Sequence, residues 1–196
     1  MQKIISLFQR NYETDRLVRN EIVPGAGWVI NGEGIATRKW DGTACKISDG
    51  KLYKRYDAKN GKTPPPNFEP AQDEPDPNTR HWPGWVPVRD APEDARHREA
   101  FDQGFCIIDE PVFQQYRTGP LEPGTYELCG PKVNGNPEGF DHHYLVKHGS
   151  EVLLDVTLNY EGINAYLSEV DIEGIVWHHP DGRMVKIKKK DFGLKR

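Results

Sequence analysis

Lys39-Trp40-Asp41-Gly42 is the first place in this 196-residue chain where residue types and spacing suggest covalent chemistry. A lysine beside an apolar strand and followed by Asp-Gly can act as a nucleophile when its amine is neutral. Taken alone, the tetrapeptide reads better as an exposed lysine before a turn. Four further elements follow in order. Lys54-Arg55 lies on the strand returning from the next turn, and Tyr126-Glu127-Leu128 sets a carboxylate in an apolar strand. Glu173-Gly174-Ile175-Val176 opens a buried strand with a carboxylate. Lys186-Ile187-Lys188 puts two ammonium groups on one strand face, because side chains alternate along a strand with period two. Each element singly is a solvated charge at a strand end. Five in this order are harder to dismiss.

These residues need elements to hold them. Thr43 to Ser48 and Leu52 to Tyr56 flank Asp49-Gly50, a strong hairpin signal. Gly124 to Leu128 reads as a strand. Gly174 to His178 and Met184 to Lys188 form a second hairpin around His179-Pro180-Asp181-Gly182. If His179 pairs with Gly182, Glu173 falls opposite Lys188, with Lys186 on the same face. A bulge at Gly182 slips the register by one and brings Lys189 there instead. Tyr160, Ile163, Leu167 and Val170 recur at helical spacing, predicting a helix near 160–169. Antiparallel strands with few helices predict an α+β fold.

Composition changes sharply once. Nine of the sixteen prolines lie between Ala58 and Ala100, with the acidic residues Glu69, Asp73, Glu74 and Asp76. Proline fixes φ and removes a ladder donor, so this stretch is expected to form neither a central strand nor a long helix. The reading is a single domain over residues 1–196 with a Pro-rich, partly mobile insert at about 58–100. Ala58 to Thr79 is expected to be mobile, Trp82 to Val88 ordered, and Pro92 to Phe101 a short helix with Pro92 in its first turn.

Apolar residues make up 36% of the chain, enough for a core, and the net charge of −4 argues against a histone-like nucleic-acid binder. No apolar run approaches the ~20 residues of a membrane span, and the N-terminal stretch is too short for a secretory signal. Cys45, Cys106 and Cys129 are an odd number at wide spacing, which fits a reducing compartment without a disulfide framework. The expected location is therefore cytoplasmic, away from membranes, and no feature identifies a protein partner.

In these residues the chain resembles the covalent nucleotidyltransferases, meaning polynucleotide ligases and messenger-RNA capping enzymes. Their ordered motifs look like Lys39-x-Asp41-Gly42, Arg55, Glu127, Glu173 and Lys186-x-Lys188. Several segments are similar to one branch, the single-domain 5′-to-3′ RNA ligases of vertebrates. They are Gly84-Trp85-Val86-Pro87-Val88, Leu128-Cys129-Gly130, Asn134-Gly135-Asn136-Pro137, His148-Gly149, Glu173 to His178 and Gly193-Leu194-Lys195. The resemblance runs from about Ala36 to Arg196. It implies a ligase-type nucleotidyltransferase domain of antiparallel sheets with flanking helices, and a chain this short leads us to expect no OB domain.

The same resemblance implies the chemistry. Lys39 attacks the α-phosphorus of ATP, AMP passes to a 5′-phosphate on RNA, and a 3′-hydroxyl displaces AMP. Unperturbed lysine has a pKa of ~10.4, so Lys39 is expected to be depressed by nearby cations, with an alkaline optimum for the first step if the depression is incomplete. Lys186 and Lys188 are expected to neutralise charge on the α-phosphate. Glu173 is expected to hold Mg²⁺ or Mn²⁺, Glu127 to accept from the ribose hydroxyls, and Arg55 to grip the phosphate of the RNA end or nucleotide. Asp41 is expected to support the site indirectly. The RNA partner carries 5′-phosphate and 3′-hydroxyl ends.

Weaker features remain open. Residues 183–196 hold seven basic side chains against one acid, which reads as a phosphate-backbone track or as a solvated tail. Trp82 and Trp85 either stack on a base or pin the insert. His142-His143 and His178-His179 are poor zinc pairs, because neighbours on a strand face opposite ways. No Gly-Lys-Ser/Thr follows the glycines at 25–34, which disfavours P-loop chemistry. The alternatives to an RNA ligase are a DNA-nick ligase, a GTP-using capping guanylyltransferase, and a catalytically inert nucleic-acid-binding module.

Overall fold

A computed structural model describes residues 1–77, 79–102, 104, 106–110, 113–117 and 121–196, the segments 106–110 and 113–117 by their backbone. In chain order the strands are β1 (Ile5–Ser6), β2 (Phe8–Arg10), β3 (Val18–Ile22), β4 (Ile35–Lys39), β5 (Thr43–Ser48), β6 (Lys51–Ala58), β7 (Glu69–Pro70), β8 (Trp82–Pro87), β9 (Cys106–Glu110), β10 (Phe113–Arg117), β11 (Gly124–Cys129), β12 (Tyr144–Lys147), β13 (Gly174–His178) and β14 (Met184–Lys188). The helices are α1 (Ala95–Asp102) and α2 (Tyr160–Glu169), with 3-10 turns at Pro92–Asp94 and Lys189–Phe192. The expected α+β class is what the chain adopts: mostly antiparallel sheets with few helices. The chain divides into two compact units, Met1–Lys3 with Asp41–His148, and Ile4–Trp40 with Gly149–Arg196.

The first unit is built on the sheet β10-β9-β12-β11-β5-β6-β8-β7. One face packs Cys45, Ile47, Leu52, Tyr126, Leu128 and Leu145 against Ala100 and Phe101 of α1. The Asp49-Gly50 hairpin closes with Ser48 opposite Lys51. Pro92 opens the 3-10 turn that leads into α1, so the helix predicted over Pro92 to Phe101 is divided in two. Lys54 pairs with Asp94, which is fully buried and also accepts from the backbone N–H of Arg89 at 2.9 Å.

The insert corrects one expectation. β8 carries Pro83 and Pro87 yet lies between β6 and β7. Backbone groups alternate sides along a strand. Val88 donates toward β6, to the carbonyl of Leu52, whereas the Pro83 carbonyl accepts from Ala71 just beyond β7. Both prolines therefore turn their missing donors toward β7, which is only two residues long. Several contacts join this part of the insert to its neighbours. Phe68 sits edge-on to Tyr56 and Trp82, the Trp82 indole donates to Gln72 O at 2.8 Å, and Lys3 pairs with Asp76 at 2.8 Å. Trp82 thus serves to pin the insert.

The second unit holds the sheet β1-β14-β13-β4 and the β2-β3 ribbon. Its core joins Leu7, Phe8, Val18, Trp28, Ile163, Leu167, Ile175, Trp177, Val185 and Ile187. Helix α2 starts where the Asn159 side chain accepts from the Gly162 N–H at 2.7 Å, and it buries Ile163 and Leu167 one turn apart. Gly174 pairs with Lys188 and Val176 with Lys186, so β13 and β14 take the bulged register, not the one that sets Glu173 opposite Lys188. Gly182, at φ 91°, supplies the left-handed residue this turn needs. Lys189 follows the slip: its N–H donates to Glu173 O at 2.8 Å.

Candidate functional site: a lysine trio and a carboxylate row

Cross-strand partners share a sheet face, which fixes the geometry of the second unit. Lys39, Gly174 and Lys188 form one row across β4, β13 and β14. Thr37, Val176 and Lys186 form the next row, with Ser6 of β1 beyond. Lys39, Lys186 and Lys188 therefore rise from the same face. A side chain at Gly174 would lie 2.8 Å from Lys188 Cα and collide with the Ile187 carbonyl. The row accordingly has a gap between its two lysines. Glu173, just before the strand, fills it: one carboxylate oxygen pairs with Lys39 and the other with Lys188 at 2.5 Å.

This cluster shapes its own electrostatics. Burial pushes the Glu173 carboxyl up, but Lys39 and Lys188 outweigh it and hold the group below the usual carboxylate range. Lys186 has no acidic partner within ion-pair distance among the described residues. Burial, and then the Lys188 and Lys39 ammonium groups, pull it down to about 8. Glu173 and Asp191 act the other way more weakly, which leaves Lys186 a desolvated cation one row from Lys39. Asp191 secures the end of β14. It accepts from the Lys188 backbone N–H at 3.0 Å and from Arg10 at 2.5 Å.

Arg55 and Glu127, the other two expected residues, belong to the first unit. Pairing across β11, β5, β6 and β8 sets Glu127, Ala44, Arg55 and Trp85 in one row, on the face opposite the Leu128 core. The Arg55 guanidinium lies 5.5 Å from the centroid of the buried Trp85 ring, donates to the Met1 carbonyl at 2.8 Å and pairs with Asp57 at 2.9 Å. Trp85 thus supports Arg55 from below. Glu127 is buried and bonds His148 at 2.8 Å. Asp41 accepts from the Asn134 amide at 2.9 Å, and its own N–H donates to Glu138 at 2.9 Å. The Asn134-Gly135-Asn136-Pro137 segment reaches Asp41 because Asn134 and Asn136 adopt φ of 47° and 57°, a left-handed region asparagine tolerates.

Sequence reasoning missed Arg10 and Glu138, quoted Asn134 without a role and counted Asp191 only as the one acid of the basic run. It quoted His148 without a role. It also overcounted the basic C-terminal run. Lys189 is buried with its ammonium on Val170 O, Arg183 pairs with Asp181 and Arg196 with Asp171. One of these cations is thus buried and two sit in surface ion pairs, so the run presents fewer free charges than its composition suggests.

Among the described residues no group of three or more His, Cys, Asp and Glu is arranged to hold a metal ion. Both oxygens of Glu173 are engaged by Lys39 and Lys188, so this carboxylate is open to a hard cation only when one of those ion pairs opens. His143 is occupied by Glu99 and Pro131 O, and His179 by Glu33 and Asp181. Cys45 and Cys129 are buried free thiols; the Cys106 side chain lies outside the described residues. No described helix is long and apolar enough to cross a membrane.

Comparison with known proteins adds an independent finding. A family model described as RNA ligase 1 matches residues 63–196. An RNA ligase 1 of Rattus norvegicus is 27% identical over 220 residues, covering 82% of this chain and 67% of the relative. The Mus musculus protein of that name is 28% identical over the same shares. That of Danio rerio is 31% identical over 59% of this chain and 42% of its own length. Glu127, Glu173, Lys186 and Lys188 fall within the family-model match, whereas Lys39 and Arg55 precede it.

Proposed function

Because this chain belongs to the RNA ligase 1 family, we propose that it is an ATP-dependent RNA ligase with a ligase-type nucleotidyltransferase fold, joining 5′-phosphate and 3′-hydroxyl ends through a lysyl-AMP on Lys39. The observation that carries this reading is Lys186: a partly buried ammonium at about 8, without an acidic partner among the described residues, beside the Lys39–Glu173–Lys188 cluster.

In the first step Lys39 Nζ forms a bond to the α-phosphorus of ATP, and the bond to pyrophosphate breaks. The attacking nitrogen must first lose a proton. While Glu173 holds Lys39 the ammonium form is favoured, so this ion pair must open. Lys39 then faces two other ammonium groups that disfavour its charge. Lys186 and Lys188 neutralise the negative charge gathering on the phosphate. In the second step a 5′-phosphate oxygen of RNA takes AMP from Lys39, guided by the Arg55 guanidinium fork. In the third step the 3′-hydroxyl attacks that phosphate, AMP leaves, and a phosphodiester closes. Glu127 accepts from the ribose hydroxyls. A divalent cation, Mg²⁺ or Mn²⁺, held by Glu173 with phosphate oxygens, would supply further charge neutralisation.

Labelled ATP and GTP, resolved on a denaturing gel, separate an adenylyl from a guanylyl enzyme. Circularisation of a 5′-phosphorylated RNA, compared with sealing of a nicked DNA duplex, separates RNA from DNA joining. ATP-dependent label on the protein together with circular RNA is the expected result. GTP labelling, DNA sealing alone, or RNA binding without label overturns the reading.

A further inference from the structure

Two histidine–glutamate pairs lie in the first unit, and they differ in a telling way. His143 is saturated: Nδ1 meets Glu99 at 2.8 Å and Nε2 meets the Pro131 carbonyl at 2.7 Å. It ties the Pro131 loop to α1. His148 is half-used: Nε2 meets Glu127 at 2.8 Å, while Nδ1 is buried with no hydrogen-bond partner among the described residues. Among the described residues that ring holds nothing else through a hydrogen bond.

Glu127 is built to point in one direction. It sits on β11, an interior strand between β5 and β12. Its stem is hemmed by Gly42, where a Cβ would come within 2.9 Å of Glu127 Cγ. Its Oε2 is taken by His148, and Oε1 carries no hydrogen bond among the described residues. His148 is placed by the end of β12: its N–H donates to Thr125 O at 3.1 Å, and Thr125 shares a face with Glu127 two residues on. A carboxylate partner at Nε2 selects the tautomer with the proton there, so the imidazole donates and Nδ1 needs no proton.

We propose that His148 is the positioning residue for Glu127, and that the pair makes the site selective for nucleotides carrying ribose hydroxyls. This rests on the reading of Glu127 as the ribose acceptor. With Oε2 fixed by His148, Oε1 is a single aimed acceptor. A hydroxyl donor satisfies it; a deoxy sugar leaves it unpaired, and sites that hydrogen-bond a hydroxyl reject its absence.

The test is self-adenylylation of the full chain with ATP, 2′-deoxy-ATP and 3′-deoxy-ATP. Wild type is expected to favour ATP over at least one analogue through KM, and Glu127→Ala to erase that preference. His148→Ala is expected to lower the preference about tenfold by raising KM for ATP, with KM for that analogue little changed. His148→Gln, which keeps an amide donor, restores part of the preference, and the shorter His148→Asn does not. If His148→Ala fails to fold, the Gln and Asn variants decide by the same criterion. Equal KM changes for ATP and the analogues, or equal preference in Gln and Asn, overturn the role of His148 while Glu127→Ala still erases the preference. A wild type without any preference, or a Glu127→Ala variant that retains it, overturns the Glu127 reading and the inference with it.

Discussion

Lys186 carries the clearest conflict between stability and function. Its folded pKa lies near 8, against 10.5 for an ordinary lysine, through burial first and the Lys188 and Lys39 charges second. A lysine depressed in this way destabilises the fold wherever it is charged. The penalty is full below pH 8 and fades as pH rises toward 10.5, because in that window only the unfolded chain still binds the proton. Lys186→Met keeps the stem and removes the charge. We expect it to be more stable at pH 7 by about 1–2 kcal/mol, with less gain near pH 10, and to lose adenylyl transfer. Urea denaturation at the two pH values checks this; a variant no more stable at pH 7 contradicts it. Arg55 behaves differently. Its partner Asp57 is exposed and adds little, so Arg55→Ala is expected to fold normally. It should still acquire AMP but join RNA at least about tenfold more slowly, which single-turnover assays of the separate steps can measure. Equal loss at both steps contradicts the assignment.

The 3-10 turn and α1 are fastened to the first sheet by the Lys54–Asp94 pair. Asp94 is fully buried, and Lys54 and the Arg89 backbone N–H hold its carboxyl below the ordinary range although burial pushes the other way. Asp94→Ala strands a half-buried ammonium and should cost about 3 kcal/mol, read as a fall in the urea midpoint. A loss below about 1 kcal/mol would mean the pair is dispensable. Both hairpins and α2 were legible in the sequence, because Asp-Gly turns and apolar spacing act locally. The register at Gly182 was not. A bulge changes no residue in the strands and depends on the turn closing from His179 N–H to Arg183 O. The place of β8 was hidden by its prolines, whose missing donors matter only on the side each one faces.

That Lys186 and Lys188 share a strand face was legible from the period-two alternation; Lys39 was joined to them only by the resemblance, and Glu173 by a register the hairpin does not adopt. The residues that brace the site were not legible, since their partners are remote in the chain: Arg10 and Asp191 lie 181 positions apart, and Asn134 and Asp41 lie 93 apart. No local pattern encodes such pairs. Within the second unit β1 extends the sheet bearing Lys186, and Arg10 braces Asp191 at its edge. A chain of net charge −4 thus gathers three cations in one lysine trio, while Arg183 and Arg196 are paired with surface carboxylates and Lys189 with a backbone carbonyl. The decisive measurement is mass spectrometry of the protein after incubation with ATP and a divalent cation. One added AMP on the Lys39 peptide, absent from Lys39→Ala, is the expected result. No adduct, or an adduct that persists in Lys39→Ala, would contradict the central claim.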